Sequence, residues 1–213
     1  MDKDHEMLQV MLSHSPEMTI FKCDVGDYEE VQDVFEEIDN QRLLPDILIN
    51  NAGLIISEPM VNVLQKSSHS QKNWDKAIGT NLTGTFNTTT HWARKLAVLR
   101  RPGLVINISS IARNGHSGQS AYSASKAGVH ALTQTWAQEF APFRLRAVAI
   151  EPGFTDSVGT TSNVEQFHLD EIVSQTPVRR LGSLSEIESC INFVIENDFV
   201  NGTSIEVNGG LRL

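Results

Sequence analysis

Cysteine is scarce in this sequence, which contains only Cys23 and Cys190. The two lie far apart and neither belongs to a CxxC pair, so the sequence predicts no disulfide framework and no metal site. Apolar runs of the roughly 20 residues needed to cross a membrane are also missing. The start, MDKDHEMLQV, has neither the apolar stretch of a signal peptide nor an arginine-rich transit character. We therefore expect a soluble protein in a reducing, intracellular compartment.

Basic residues are outnumbered, since 17 Lys and Arg face 26 Asp and Glu and give a formal net charge of -9 at pH 7. Such a charge disfavours nucleic acid or an anionic membrane as the main partner, which leaves a small molecule as the expected ligand. With 213 residues, of which 40% are hydrophobic, the chain can bury one sizeable core. We expect a single domain over residues 1–213.

Short β-branched runs alternate along the chain with stretches of helical periodicity. This order predicts an α/β fold built on a doubly wound, mostly parallel sheet. The predicted strands are 18–25, 45–53, 103–110, 145–154 and 203–207, the predicted helices are 28–38, 74–97, 121–140 and 184–197, and 65–73 is predicted as a loop.

The predicted strands end in residues that are common in binding sites. In sheets of this kind ligands bind beyond the carboxyl ends of the strands, so these ends would line one cleft. Turns also need Gly, Asn and Pro for purely conformational reasons, and that alternative stays open. The strand ends in question are Asp24-Val25, Asn51-Ala52-Gly53, Ser109-Ser110 and Pro152-Gly153.

Tyr122 and Lys126 are four residues apart in YSASK, so a helix would place both side chains on one face. The reference pKa of tyrosine is about 10, and a neighbouring ammonium would lower it towards the range useful for acid/base catalysis. Ser110, at a strand end, could hydrogen-bond a substrate carbonyl. By itself the YxxxK spacing is weak, because a packed tyrosine beside a solvated lysine satisfies it equally well.

The pieces in combination are more specific, and they resemble the short-chain dehydrogenase/reductase family over nearly the whole chain. The resemblance implies a Rossmann-like fold and a nicotinamide-dependent oxidoreductase. Within the family the sequence is most similar to 3-oxoacyl-acyl-carrier-protein reductases and the 17-beta-hydroxysteroid dehydrogenase type 8 group. This implies a 3-oxoacyl or 3-hydroxyacyl thioester as substrate, with a steroid ketone or alcohol as an alternative. The matching segments are NNAG at 50–53, GTNLTGTF at 79–86, NISS at 107–110, YSASKAG at 122–128 and EPGF at 151–154.

The resemblance also implies a role for each site residue. Tyr122 would be the catalytic acid/base, Ser110 would position the carbonyl, and Lys126 would bind the nicotinamide ribose and tune the tyrosine. Asn81 would kink its helix and anchor a proton relay to the lysine. The remaining residues would bind NAD or NADP, namely Asp24 and Val25 at the adenine, Asn51, Ala52 and Gly53 at the adjoining ribose, and Pro152, Gly153 and Thr155 at the carboxamide.

Family members commonly pair their subunits through the helix that here carries Tyr122 and ends at Phe140, and through the last strand. The resemblance therefore implies a homo- or hetero-oligomer, a dimer or tetramer. By similarity to the mitochondrial group it also implies the mitochondrial matrix, with the cytoplasm as the alternative.

The sequence departs from the family in lacking the glycine-rich TGxxxGxG turn and the first β-α-β unit around it. The choice between NAD and NADP is therefore not predicted, the strand at 18–25 has no obvious partner, and the strand at Ile47 should form an exposed edge. A truncated, catalytically impaired isoform or a non-catalytic subunit is the alternative interpretation. Ser110 precedes Tyr122 by one residue fewer than the family pattern, which leaves Ser109 as its alternative, and Ser157 is the alternative to Thr155.

Overall fold

Parallel strands at the centre of the fold confirm the predicted α/β architecture. The computed structural model describes residues 17–157 and 166–213, so the expectation for the MDKDHEMLQV start lies outside the described residues. The strands are β1 (Ile47–Asn50), β2 (Val61–Asn62), β3 (Ser67–Ser68), β4 (Gly103–Ile108), β5 (Leu145–Pro152) and β6 (Ser204–Val207). The main sheet has the order β1-β4-β5-β6 with all pairs parallel, while β2 and β3 form a separate antiparallel hairpin.

Six α-helices are described, and local signals in the sequence explain where several of them begin. Asp27 accepts hydrogen bonds from the N–H groups of Glu29 and Glu30 and so caps the first helix, and Ser70 caps the second in the same way through Asn73. The helices are α1 (Tyr28–Asn40), α2 (Gln71–Ile78), α3 (Gly84–Leu99), α4 (Ser120–Glu139), α5 (Gln166–Gln175) and α6 (Leu184–Glu196).

Alternating side chains on β4 and β5 build a core on each face of the sheet. Val105 and Ala147 point to one face, where they pack with Trp92 of α3 and Trp136 of α4. On the other face, Leu104, Ile106, Val148 and Ile150 pack with Val194 of α6. Helices therefore cover both faces, as in a doubly wound sheet.

A buried polar network crosses the first face between β1 and β4. Asn50 and Asn107 are register partners, and Asn50 Nδ2 donates to Asn107 Oδ1 over 2.8 Å. Asn50 also bonds Thr89 of α3, and Asn107 Nδ2 donates to Thr133 of α4 over 2.9 Å. These bonds satisfy amides that would otherwise be costly to bury, and they attach both helices to the sheet.

The start of the described chain differs from the prediction. Residues 18–25 form no strand, so that prediction is wrong, and the physical reason is that no described strand lies beside them to pair with. The predicted exposed edge is confirmed, because β1 pairs only with β4 in the described sheet and Ile49 is 42% exposed. The predicted loop at 65–73 is partly wrong, since it holds β3 and the first turn of α2.

Candidate active site

Tyr122 and Lys126 lie in the first two turns of α4 and face the same side, as the sequence predicted. Lys126 Nζ lies 5.7 Å from the centroid of the Tyr122 ring, a cation–π distance. Gly128 allows α4 to approach the preceding helical segment closely, because a Cβ there would lie 2.8 Å from Leu82 Cδ1. Gly128 therefore lets this part of α4 pack closely against Leu82.

Burial strongly affects the lysine. Lys126 is 5% exposed, and its Nζ donates a 2.7 Å hydrogen bond to the carbonyl of Ile108 at the end of β4. Removal from water disfavours the charged form and lowers the pKa of Lys126 from 10.5 to about 8. The side chain can therefore exchange a proton near physiological pH.

Ser110 contacts the tyrosine from the end of β4. Its hydroxyl accepts a 3.1 Å hydrogen bond from the Ala112 N–H and so caps a short 3-10 turn (Ile111–Asn114). The same hydroxyl is a hydrogen-bond partner of the Tyr122 side chain. Burial raises the pKa of Tyr122 above 10.0, and the Ser110 hydrogen bond, which lowers it, only partly offsets that effect. The expected lowering of this pKa by Lys126 is therefore wrong here, because sequence spacing does not reveal how far the phenol is withdrawn from water.

Ser109 makes a different contact from Ser110. Its hydroxyl donates a 2.9 Å hydrogen bond to the main-chain carbonyl of Lys126, and the residue is buried. That bond ties the end of β4 to α4 and directs the Ser109 side chain to the helix backbone. Of the two serines, Ser110 is the one beside the tyrosine.

Asn81 is fully buried in a π-helical segment (Gly79–Thr83) between α2 and α3. Its amide exchanges hydrogen bonds with the main chain of Leu54, at 2.9 Å to the N–H and 3.0 Å to the carbonyl, and donates a third to Ser125 Oγ at 3.1 Å. Ser125 in turn donates to the carbonyl of Tyr122 over 2.7 Å. Asn81 thus joins the segment after β1 to the helix that carries the tyrosine, and single π-helical turns are frequent at functional sites.

Asn51, Ala52 and Gly53 follow β1 and are exposed. A Cβ at Gly53 would lie 3.4 Å from Asn81 Oδ1 and 3.5 Å from Lys126 Nζ, so this turn borders the buried lysine. The predicted convergence of the β1 and β4 strand ends is present here.

Pro152 and Gly153 end β5, which lies beside β4 in the sheet. The Gly153 N–H donates to the Val207 carbonyl over 3.0 Å, and a Cβ on Gly153 would lie 2.9 Å from Asn208 Cα, so only glycine allows this approach. Thr155 forms a parallel bridge with Gly182 just beyond. Ser157 donates its N–H to the Thr155 carbonyl, and the chain then enters the undescribed residues 158–165, so the choice between Thr155 and Ser157 stays open.

Asp24 and Val25 are held in place although the strand predicted to carry them does not form. The Val25 carbonyl accepts a 3.0 Å hydrogen bond from Asn87 Nδ2 of α3. The Val25 side chain packs over Gly84, where a Cβ would lie 2.6 Å from Val25 Cγ2. These contacts place the segment against the helix start that follows the Asn81 turn.

A nicotinamide ribose fits the chemistry of this region. The buried Lys126 amine and the Tyr122 hydroxyl meet there, and both carry hydrogen-bond donors. The sequence contains no TGxxxGxG turn for the pyrophosphate.

Known proteins are similar to this chain over most of its length. Residues 1–212 match the family described as Enoyl-(Acyl carrier protein) reductase. A 3-oxoacyl-acyl-carrier-protein reductase of Thermotoga maritima is 32% identical over 194 residues, which cover 90% of this chain and 76% of the relative. A (3R)-3-hydroxyacyl-CoA dehydrogenase of Canis lupus familiaris is 34% identical over 201 residues, which cover 92% and 74%.

Solved structures of reductases and dehydrogenases are similar in fold to this chain. The 3-oxoacyl-acyl-carrier-protein reductase of Brucella melitensis superposes with a TM-score of 0.77 at 30% identity, covering 90% of this chain and 70% of that one. A gluconate 5-dehydrogenase of Burkholderia cenocepacia, in complex with NADP and tartrate, has a TM-score of 0.80 at 28% identity, with 88% and 72% covered. A 4-hydroxyisoleucine dehydrogenase complexed with NADH has a TM-score of 0.82 at 28% identity, with 90% and 78% covered.

Among the helices of residues 17–157 and 166–213, none has the length and apolar character required to cross a bilayer.

Proposed function

Since this chain belongs to the short-chain dehydrogenase/reductase family and is an oxidoreductase enzyme, we propose that it interconverts 3-oxoacyl and 3-hydroxyacyl thioesters with NAD or NADP. The names of relatives support the substrate class, since they include a 3-oxoacyl-acyl-carrier-protein reductase, a (3R)-3-hydroxyacyl-CoA dehydrogenase and an acetoacetyl-CoA reductase of Rhizobium meliloti. Solved neighbours in complex with NADP or NADH support a nicotinamide cofactor of either kind.

The observation that carries the proposal is the meeting of Ser110, Tyr122 and Lys126 at the end of β4. In the direction of reduction, the Tyr122 hydroxyl gives its proton to the substrate carbonyl oxygen as the C=O double bond becomes a C–O single bond. Ser110 donates a hydrogen bond to the same oxygen and holds the carbonyl against the tyrosine. A nicotinamide cofactor, when bound, supplies the hydride that reaches the carbonyl carbon.

Lys126 is held beside the Tyr122 ring by its hydrogen bond to Ile108, and it is the proposed contact to the nicotinamide ribose. Asn81 holds the turn after β1 against α4 and is the proposed anchor of a proton relay to the lysine. The proposed cofactor contacts are Asp24, Val25, Asn51, Ala52, Gly53, Tyr122, Lys126, Pro152, Gly153 and Thr155.

A steroid ketone or alcohol is the second substrate class, and no contact of the described residues favours it over a thioester. The three relatives named above are reductases and a dehydrogenase, and they give no support to the non-catalytic alternative. A mitochondrial or cytoplasmic location stays a prediction.

An oligomer through α3 and α4 is the proposed assembly. Two clefts of about 430 and 460 Å³ run along this helix pair and share Phe86, which is 45% exposed, and apolar side chains line most of both. A second copy of the chain packing here would bury that apolar surface.

The test of the proposed reaction is turnover of acetoacetyl-CoA, followed by the loss of reduced-nicotinamide absorbance with NADH and with NADPH. Fluorescence titration measures binding of each dinucleotide separately. We expect Tyr122→Phe to lower kcat by at least about 100-fold, the lower range for loss of an acid/base group, while dinucleotide binding is retained.

Unchanged turnover in Tyr122→Phe would exclude the role given to its hydroxyl. A folded wild-type chain that binds neither dinucleotide would overturn the proposed reaction and favour the non-catalytic subunit.

A further inference from the structure

Three elements that carry the proposed active site meet at one carboxylate oxygen. Glu151 lies in β5, one residue before Pro152, and it is fully buried. Its Oε1 lies 2.6 Å from Arg113 Nε and 2.9 Å from His130 Nδ1. Arg113 belongs to the 3-10 turn that follows Ser110, and His130 lies one helical turn after Lys126 in α4.

Neighbouring groups complete this cluster. Glu206 of β6 is the register partner of Glu151, and its Oε1 lies 3.6 Å from Arg113 Nη2. Ser204 Oγ lies 2.8 Å from His130 Nδ1. The Arg113 and His130 side chains are each 22% exposed, so the contacts to Glu151 are largely shielded from water.

Stability alone is a poor explanation for a carboxylate at this position. Burying an ionised carboxylate is costly, and the attraction of its partners often fails to repay that cost. Glu151 Oε2 has no hydrogen-bond partner within the described part of the chain, so the group is only half satisfied. Its contact with His130 is a hydrogen bond, whereas its contact with Arg113 is a short ion pair in which Nε makes no hydrogen bond within the described residues. Together the two contacts join the serine turn and α4 to β5.

We infer that Glu151 is a positioning residue that holds the Ser110 turn against Tyr122 through Arg113 and His130. This inference rests on the proposed function. Releasing Arg113 would allow the turn to move, and Ser110 stands only three residues before it. We expect a change at Glu151 to affect the chemical step more than substrate binding. Its carboxylate is buried and contacts Arg113 and His130, and neither of these is proposed to bind substrate.

The kinetic test compares Glu151→Gln and Glu151→Ala with the wild type. Glu151→Ala removes both contacts, and we expect kcat to fall by about 10-fold to 100-fold, as for a reacting group misplaced by up to about 1 Å, with KM little changed. Glu151→Gln keeps the shape and an acceptor oxygen but loses the charge, so its kcat should lie between the other two. Asp46→Asn is the matched control, because it breaks an ion pair with Arg101 at the opposite ends of the strands.

A spectroscopic test does not depend on turnover. The chain contains only two tyrosines, so in a Tyr28→Phe background the ultraviolet absorbance of phenolate reports Tyr122 alone. The Ser110 hydrogen bond lowers the pKa of Tyr122, so loosening the serine turn in Glu151→Gln should raise it further. Direct loss of a nearby negative charge would have the opposite effect and lower this pKa.

The outcomes distinguish a failure of the proposed function from a failure of the role given to Glu151. A wild type that is folded but inactive on acetoacetyl-CoA overturns the proposed function, and the tyrosine titration still tests the positioning role. An active wild type with unchanged kcat in both folded Glu151 variants, or a Tyr122 pKa that falls or stays the same, overturns the role of Glu151. If Glu151→Ala does not fold, Glu151→Gln and its titration decide.

Discussion

Lys126 Nζ donates a 2.7 Å hydrogen bond to the carbonyl of Ile108, so the ammonium of α4 is held at the last residue of β4. The next two residues along the chain are Ser109, which bonds the Lys126 carbonyl, and Ser110, which contacts Tyr122. One strand end therefore orients the backbone and the side chains of the proposed catalytic helix together.

Lys126 should make stability depend on pH. The folded protein releases the Lys126 proton at about pH 8, whereas the unfolded chain releases it near 10.5, so between these values the unfolded state binds more protons and the free energy of unfolding rises with pH. At neutral pH the buried ammonium lowers that free energy by about 3 kcal/mol.

Urea unfolding of wild type and Lys126→Met measures this effect. The stability advantage of the variant should shrink by about 2 kcal/mol between about pH 8 and about pH 9.5, since methionine does not titrate. A difference that stays constant with pH would contradict the lowered pKa.

Ser110 and Ser109 should behave differently when each is replaced by alanine. Ser110→Ala removes the proposed bond to the substrate oxygen, and we expect kcat to fall by about 100-fold. It also removes the bond from the Ala112 N–H, so the free energy of unfolding should fall by about 1 kcal/mol as well. Ser109→Ala removes the bond to the Lys126 carbonyl, and we expect about 1 kcal/mol lower free energy of unfolding with kcat largely retained. Steady-state kinetics and denaturant unfolding of both variants check this, and the reverse pattern would exchange the two roles.

Gly53→Ala should separate binding from folding. Its new methyl group would meet Asn81 and Lys126 at ordinary van der Waals distances of 3.4 and 3.5 Å, so the protein should unfold at an unchanged temperature. The same methyl would occupy space proposed for the ribose next to the adenine, and overpacking of about 1–3 kcal/mol would weaken dinucleotide binding by about 5-fold to 150-fold. Fluorescence titration measures the dinucleotide affinity, and thermal unfolding is the control for stability. An unaltered affinity would show that the ribose does not bind beside Gly53.

Phe86→Asp should dissociate the proposed oligomer. The side chain lies in both clefts between α3 and α4, and a charge there would have to be buried by a second copy. Sedimentation velocity should show a smaller species than wild type. Leu64→Asp is the control, because Leu64 is 96% exposed near the β2–β3 hairpin and should leave the assembly intact.

The sequence predicted most of the sheet because its central strands are buried on both faces and are therefore continuously apolar. It also predicted that Tyr122 and Lys126 share a face, which follows from helix geometry alone. Residues 18–25 have the same apolar character, yet a strand needs a neighbour, and local pattern carries no information about that neighbour. The two-residue strands β2 and β3 and the ten-residue α5 escaped notice because such short elements leave little periodicity.

Long-range chemistry was the least predictable part of the site. The direction of the Tyr122 pKa shift depends on burial, which no spacing encodes. Glu151, Arg113 and His130 are far apart in sequence and come together only when β5, the serine turn and α4 pack. The Asn81 bonds to Leu54 and Ser125 arise in the same way. The π-helical segment itself begins with Gly79, Thr80 and Asn81, which are residue types of weak helix propensity.

The hydrogen bond between the amides of Asn50 and Asn107 fixes the register of β1 against β4. Sliding β1 by one residue along β4 in either direction would separate Asn50 from Asn107 and remove the hydrogen bond between their amides, at a cost of about 1–3 kcal/mol for each polar group left without a partner. Strand alignment is therefore encoded within the strands themselves. The exposed turn of the β2–β3 hairpin, which lies in the connection from β1 to β4, can therefore change in length without displacing the lysine or the serines that depend on that alignment.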